Sequence, residues 1–141
     1  MSPTLSKNYS RRVSKAVLSS SRKWKIDWRV IVSILRQESS FRADPDNCLK
    51  KSCKDFGIGQ INFKTWGKTL GLSKKLLVKN IEYNIDTTAH ILSIVKKGHE
   101  SDKYWYSRFH SFTKSHRYIY LSYVKPIHTR VNKFAMNNYY E

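Results

Sequence analysis

At 141 residues with 40% hydrophobic content, the chain is long enough for one packed domain and too apolar for wholesale disorder. No stretch approaches the roughly 18 consecutive apolar residues of a membrane-spanning helix. Lys and Arg number 27 against 10 acidic residues, a formal charge of +17, so anionic polymers are attracted to the surface without any one being selected.

Residues 1–8 read as a frayed tail of a single domain covering 1–141. Over residues 9–22, Val13, Ala16 and Val17, with Ser20 continuing their face, predict a basic amphipathic helix. Over 27–39, Asp27 is an N-cap, and Trp28, Ile31, Ile34 and Leu35 recur at helical spacing. Glu38 lies seven residues from Ile31 and four from Ile34, so it continues that apolar face. A carboxylate on a buried face is costly to ionise, its pKa rises, and an acid still protonated near neutrality can act as a general acid. The plainer alternative is a rim glutamate paired with Arg42 or Lys54, since most helical glutamates are solvated.

Residues 41–56 read as loop, with Asp44-Pro45-Asp46-Asn47 as turn chemistry. Cys48 and Cys53 lie within it. A small disulfide loop in an oxidising compartment and two reduced thiols are both open readings. A C-x4-C pair without a neighbouring histidine motif is a poor zinc signal, and neither metal nor cofactor is expected. In Gly57-Ile58-Gly59-Gln60-Ile61-Asn62, two glycines let the backbone approach a ligand or turn through positive φ. The amides of Gln60 and Asn62 suit sugar hydroxyls and N-acetyl groups.

Asn62 is expected to cap a short helix over 63–69 ending at Gly71, and Ser73 to open another brief turn. Ile81, Ile85, Ala89, Leu92 and Val95 predict a helix over 81–97 stopped by Gly98, with His90 a partly buried core residue. Residues 102–110 are expected to be helical, with Tyr104, Trp105, Phe109 and His110 as an aromatic stripe. Ser115 should cap a last helix through Tyr118, Tyr120, Leu121 and Val124 that Pro126 breaks or kinks. The segment 127–141 resumes a helical pattern with Val131, Phe134 and Ala135. There is no internal repeat, P-loop or H-E-x-x-H.

Glu38-Ser39-Ser40-Phe41 followed by Asp55-Phe56-Gly57-Ile58-Gly59-Gln60-Ile61-Asn62 resembles the soluble lytic transglycosylase domain, a lysozyme-like family related to goose-type lysozyme. Asn80-Ile81-Glu82-Tyr83-Asn84 is similar to the family's N-I-x-x-G helix, with Asn84 in place of glycine. Ser107-Arg108-Phe109-His110-Ser111 is a loose match to A-x-Y-N-x-G, and Tyr120 with Val124 matches the closing pair. The resemblance covers residues 10–125 and implies a mainly α, lysozyme-like domain with a cleft and little or no β-sheet. It implies Glu38 as catalytic acid, and Ser39, Ser52, Ile58, Gln60, Asn62, Phe109, His110 and Tyr120 as contacts to the carboxyl or the sugar.

By the same resemblance the substrate is the peptidoglycan glycan strand, cut between N-acetylmuramic acid and N-acetylglucosamine with an intramolecular 1,6-anhydro product and no water consumed. A goose-type hydrolase would instead pair Glu38 with an aspartate, Asp44, Asp46 or Asp55. Asp55 is the nearest to the glycine segment by sequence, and a hydrogen bond to that turn is the plainer role for it. The expected partners are peptidoglycan and, non-specifically, an anionic cell envelope. The protein is expected to be a monomer with no specific nucleic acid.

Residues 1–25 hold no apolar signal-peptide core. With the resemblance, that suggests cytoplasmic synthesis and periplasmic action through a holin-type pore or a virion, as for a phage endolysin. Two rivals from other classes are a nucleic-acid binder, resting on the +17 charge with interleaved aromatics such as Lys103-Tyr104-Trp105 and Arg117-Tyr118, and an inactive wall-binding module.

Overall fold

The computed structural model describes residues 5–109 and 114–139, with side-chain positions for all of these except 114–119 and 137–139. The described residues form a mainly helical chain: α1 (Lys7–Trp24), α2 (Trp28–Ser39), β1 (Asp55–Phe56), β2 (Ile61–Asn62), α3 (Phe63–Trp66), α4 (Lys74–Lys79), α5 (Ile81–Lys97), a 3-10 helix (Trp105–Phe109) and α6 (Lys114–Tyr139). The sheet is one antiparallel hairpin with Asp55 opposite Asn62 and Phe56 opposite Ile61.

Helix α1 begins earlier than a tail over 1–8 would allow. The Ser6 hydroxyl accepts the Tyr9 N–H at 3.2 Å, satisfying one of the free donors of the first turn. Val13, Ala16, Val17 and Ser20 are its buried face, as their spacing predicts. Asp27 caps α2 by accepting the Arg29 N–H at 2.9 Å, and Ser40, at φ 53°, closes it.

Helix α5 divides the interior into two apolar clusters. One gathers Val17, Ile31, Ile34, Leu35, Ile85, Leu92 and Val124 between α1, α2, α5 and α6. The other gathers Phe56, Ile61, Leu77, Val78, Ile91 and Val95 beneath the hairpin and α4. Ile85 and Leu92 point into the first cluster, Ile91 and Val95 into the second, and all four are at most 3% exposed. Burial of each such side chain contributes about 1.5–3 kcal/mol. Trp105 and Phe109 pack on both clusters. His90 lies at the α1–α5 contact, stacked on Trp24 with ring centroids 3.8 Å apart, and the Trp24 indole donates to Asp86 at 2.9 Å.

Three elements depart from their sequence expectation. Helix α3 is only four residues, and the chain after it proceeds through turns closed by Leu70 N–H to Trp66 O and Leu72 N–H to Gly67 O. Residues 102–104 do not join the helix expected there. The Asp102 carboxylate takes the Tyr104 N–H at 2.9 Å and also the Arg108 guanidinium, a local arrangement that competes with helical bonding and leaves a 3-10 helix. Helix α6 runs through Pro126 without a break, and Ser115 lies inside it rather than capping it. Val124 at 0% and Ala135 at 7% exposure anchor it on either side of the proline, so packing outweighs the local penalty.

Candidate active site

Glu38 occupies the last turn of α2, where apolar spacing carries it inward. Its side chain is half-buried, and Oε1 accepts the Tyr120 phenol at 2.6 Å. Burial pushes the Glu38 carboxyl up to about 7. The Tyr120 bond, which favours the charged form, opposes that rise, and the nearby Asp55 charge adds to it. Tyr120 is 4% exposed on α6, and burial first, then the adjacent carboxylate, pushes its phenol well above its ordinary value, so it stays a donor. The rim alternative for Glu38 is corrected: Arg42 instead donates from Nε to the Ser39 carbonyl at 2.9 Å, at the end of α2, and Lys54 is exposed.

The glycine turn and the hairpin are held beside this carboxyl by polar bonds. The Ser39 hydroxyl donates to the Ile58 carbonyl at 2.7 Å and to the Leu35 carbonyl at 3.3 Å, fastening the residue after Glu38 to the turn. Gly57 has φ 72°, and Gln60, at φ 48°, directs both its N–H and its side-chain Nε2 to the Gly57 carbonyl at 3.0 Å. Both glycines are required by the approach of α5. A Cβ at Gly57 would lie 2.2 Å from Asn84 Nδ2 and 2.3 Å from the Leu77 carbonyl, and one at Gly59 would lie 2.1 Å from Thr88 Oγ1.

Asn84 is the residue whose role the sequence did not disclose beyond its departure from a glycine pattern. It is 1% exposed. Its Oδ1 accepts the Gly59 N–H at 2.9 Å, and its Nδ2 donates to the carbonyls of Phe56 at 2.9 Å and Leu77 at 2.8 Å. One side-chain amide thus joins the hairpin, the glycine turn and α4 to α5. An asparagine set among core positions between Ile81 and Ile85 is the available signal, because a buried amide needs partners for all its groups.

Other expected contacts are redistributed. Ser39 and Ile58 are buried, at 2% and 1% exposure, with the Ser39 hydroxyl on the Ile58 carbonyl. Asn62 is half-buried. Its Oδ1 takes the Thr65 N–H and hydroxyl at 2.9 and 3.0 Å as the α3 cap, and its Nδ2 donates to Asp55 Oδ1 at 2.9 Å. The bond expected from Asp55 to the glycine turn is therefore a cross-strand bond to Asn62, set by the hairpin register. Gln60 and Phe109 are half-buried, while Ser52 is exposed in a recess lined by the cysteines and α4. His110 lies outside the described residues. Cys48 and Cys53 form a disulfide, with Cα atoms 5.6 Å apart.

Among the described residues no three of His, Cys, Asp and Glu gather as a metal-binding group, and no helix is long and apolar enough to cross a membrane. A helical domain that holds one hydrogen-bonded, charge-averse carboxyl beside a glycine turn falls in the lysozyme-like class. The model of the Transglycosylase SLT domain family matches residues 15–123, well over half of the chain, and the chain belongs to that family. Membership brings peptidoglycan as substrate and its cleavage of the lytic-transglycosylase type as the general activity. Neither the curated proteins nor the solved structures compared with the chain give a match.

Proposed function

We propose that this chain is a peptidoglycan lytic transglycosylase in which Glu38 serves first as general acid and then as general base. The observation that carries the reading is the 2.6 Å bond from the Tyr120 phenol to a half-buried Glu38 whose pKa is pushed up to about 7. At that value both protonation states are accessible near neutrality, as a group that gives up and then recovers a proton requires.

In the first step Glu38 protonates the glycosidic oxygen between N-acetylmuramic acid and N-acetylglucosamine, and the C1–O bond breaks. The 2-acetamido oxygen of the muramyl residue stabilises the developing cation, as in substrate-assisted glycosidases. In the second step the Glu38 carboxylate takes the proton of the C6 hydroxyl, and O6 closes on C1 to give the 1,6-anhydro sugar. The proton lost in the first step is regained, and no water enters. The C6 hydroxyl is part of the same sugar, so its effective concentration exceeds that of free water as a nucleophile. Tyr120 fixes the carboxyl through Oε1, while Gln60, Asn62 and Phe109 are candidates for the sugar-facing wall.

A hydrolytic variant rests on Asp55, whose charge bears on Glu38. Mass spectrometry of the released muropeptides separates the two. Anhydro-muramyl ends are expected, and a digest holding only reducing ends would assign the hydrolytic route.

A further inference from the structure

The loop between α2 and β1 folds against α4 around a recess of about 320 Å³ whose lining does not include Glu38. Phe56 and Val78 form its floor, the Cys48–Cys53 disulfide one side, and Lys51, Lys74 and Lys75 its polar border. No carboxylate lines it. Leu49, 58% exposed, adds an apolar edge. Its volume is at the lower end of the roughly 300–1,000 Å³ typical of ligand pockets.

The recess is held in shape from several directions. Phe56 meets Phe63 edge-on with centroids 6.1 Å apart, and Lys74 Nζ stands 4.8 Å above the Phe63 ring. Asp44 accepts the N–H groups of Cys48 at 2.7 Å and Leu49 at 3.3 Å, which directs its charge into the loop backbone. An apolar floor bordered by cations, on a cross-linked loop, fits a short acidic chain with small alkyl groups.

We propose that this recess binds the carboxylates of the stem peptides that hang from the peptidoglycan strand. The inference rests on the strand being the substrate, as argued above, and adds a second site that reads the peptide rather than the sugar. Asp55 and Phe56 are neighbours on β1, and successive strand residues face opposite ways. Phe56 lines the recess, so the recess and the Asp55 side chain lie on opposite faces of β1. A stem of four or five residues extends about 15 Å at roughly 3.3–3.6 Å per residue, about three times the roughly 4.8 Å spacing of paired strands.

The test replaces the three border lysines together, Lys51→Ala, Lys74→Ala and Lys75→Ala, and compares strands bearing stems with the same strands stripped of them by an amidase. On stem-bearing strands KM rises several-fold with kcat unchanged, and on stripped strands the variant matches wild type. An equal rise on both substrates, or none on either, overturns the proposal, the first because it marks general attraction to a polyanion. A matched removal of charge from α1 (Lys7→Ala, Arg11→Ala and Lys15→Ala) leaves the ratio of the two KM values unchanged.

A second arm needs no activity. Titrating the whole wild-type chain with free stem tetrapeptide shifts the amide resonances of Cys53, Phe56 and Val78, and absence of those shifts overturns the site. If wild type cleaves neither substrate, the proposed reaction fails while the titration still decides the recess.

Discussion

The apolar cluster between α1, α2, α5 and α6 is assembled from helices of 12 to 26 residues that meet through side chains. The cluster beneath the hairpin sets Ile91 and Val95 of α5 against elements of only two to six residues, held by side-chain-to-backbone bonds and a disulfide. Long helices bury apolar stripes cooperatively, whereas two-residue strands bury too little to persist alone and depend on polar ties. Glu38 stands where the two regions meet. The first supplies its apolar surroundings and Tyr120, and the second supplies the glycine turn and Asp55. A helical seat combined with a tied turn leaves the carboxyl half-buried between them.

The largest expected effect separates the chemistry of Glu38 from its structural cost. Glu38→Gln lowers the rate of peptidoglycan cleavage at least ~100-fold, measured on purified sacculi. The folded pKa, about 7, lies above the ordinary 4.5, so the native state keeps a proton that the unfolded chain releases between those values. Stability therefore falls as pH rises through that window. The variant should be about 2–3 kcal/mol more stable than wild type at pH 8, with the gap closing by pH 4, in urea titrations at each pH. Under the proposed mechanism the same window bounds catalysis, because the acid form of Glu38 is depleted above about pH 7.

Asn84→Ala tests the tie between the two regions. It removes the buried partners of the Gly59 N–H and the Phe56 and Leu77 carbonyls, and should cost about 3–5 kcal/mol given ~1–3 kcal/mol per unsatisfied buried group without full additivity. Denaturant titration measures the loss. Replacing both cysteines by serine opens a small loop and should cost about 2 kcal/mol. Hydrogen exchange should then quicken in the hairpin and α4 and stay unchanged in α1 and α2, and a uniform change would erase the distinction between the regions.

Tyr120→Phe removes the bond that favours the charged form of Glu38, so the alkaline limb of the pH–activity profile moves upward. A shift downward would contradict the assigned direction. Arg12→Ala breaks an exposed pair with Glu82 at 2.9 Å and should leave the melting temperature unchanged within scatter.

The helices that seat the carboxyl were legible in the sequence because their apolar residues repeat at helical intervals. The spacing of Ile31, Ile34 and Leu35 turned Glu38 inward, and the span 81–97 agrees with α5 to the residue. The tied region was less legible. A two-residue strand has no periodicity to detect, and the Asp55–Asn62 bond follows from a register that no local signal fixes. Asn84 stood out only as a departure, since the three backbone groups it serves come from stretches 7 to 28 residues away. Pro126 misled because its local penalty is visible in the sequence while the packing of Val124 and Ala135 is not.

Tyr120 and Glu38 are 82 residues apart in the chain. During synthesis, α2 and the hairpin leave the ribosome well before the phenol that completes the carboxyl's surroundings. Until α6 docks, Glu38 lacks that hydroxyl. The Glu38–Tyr120 pairing thus cannot form before residue 120 has been made.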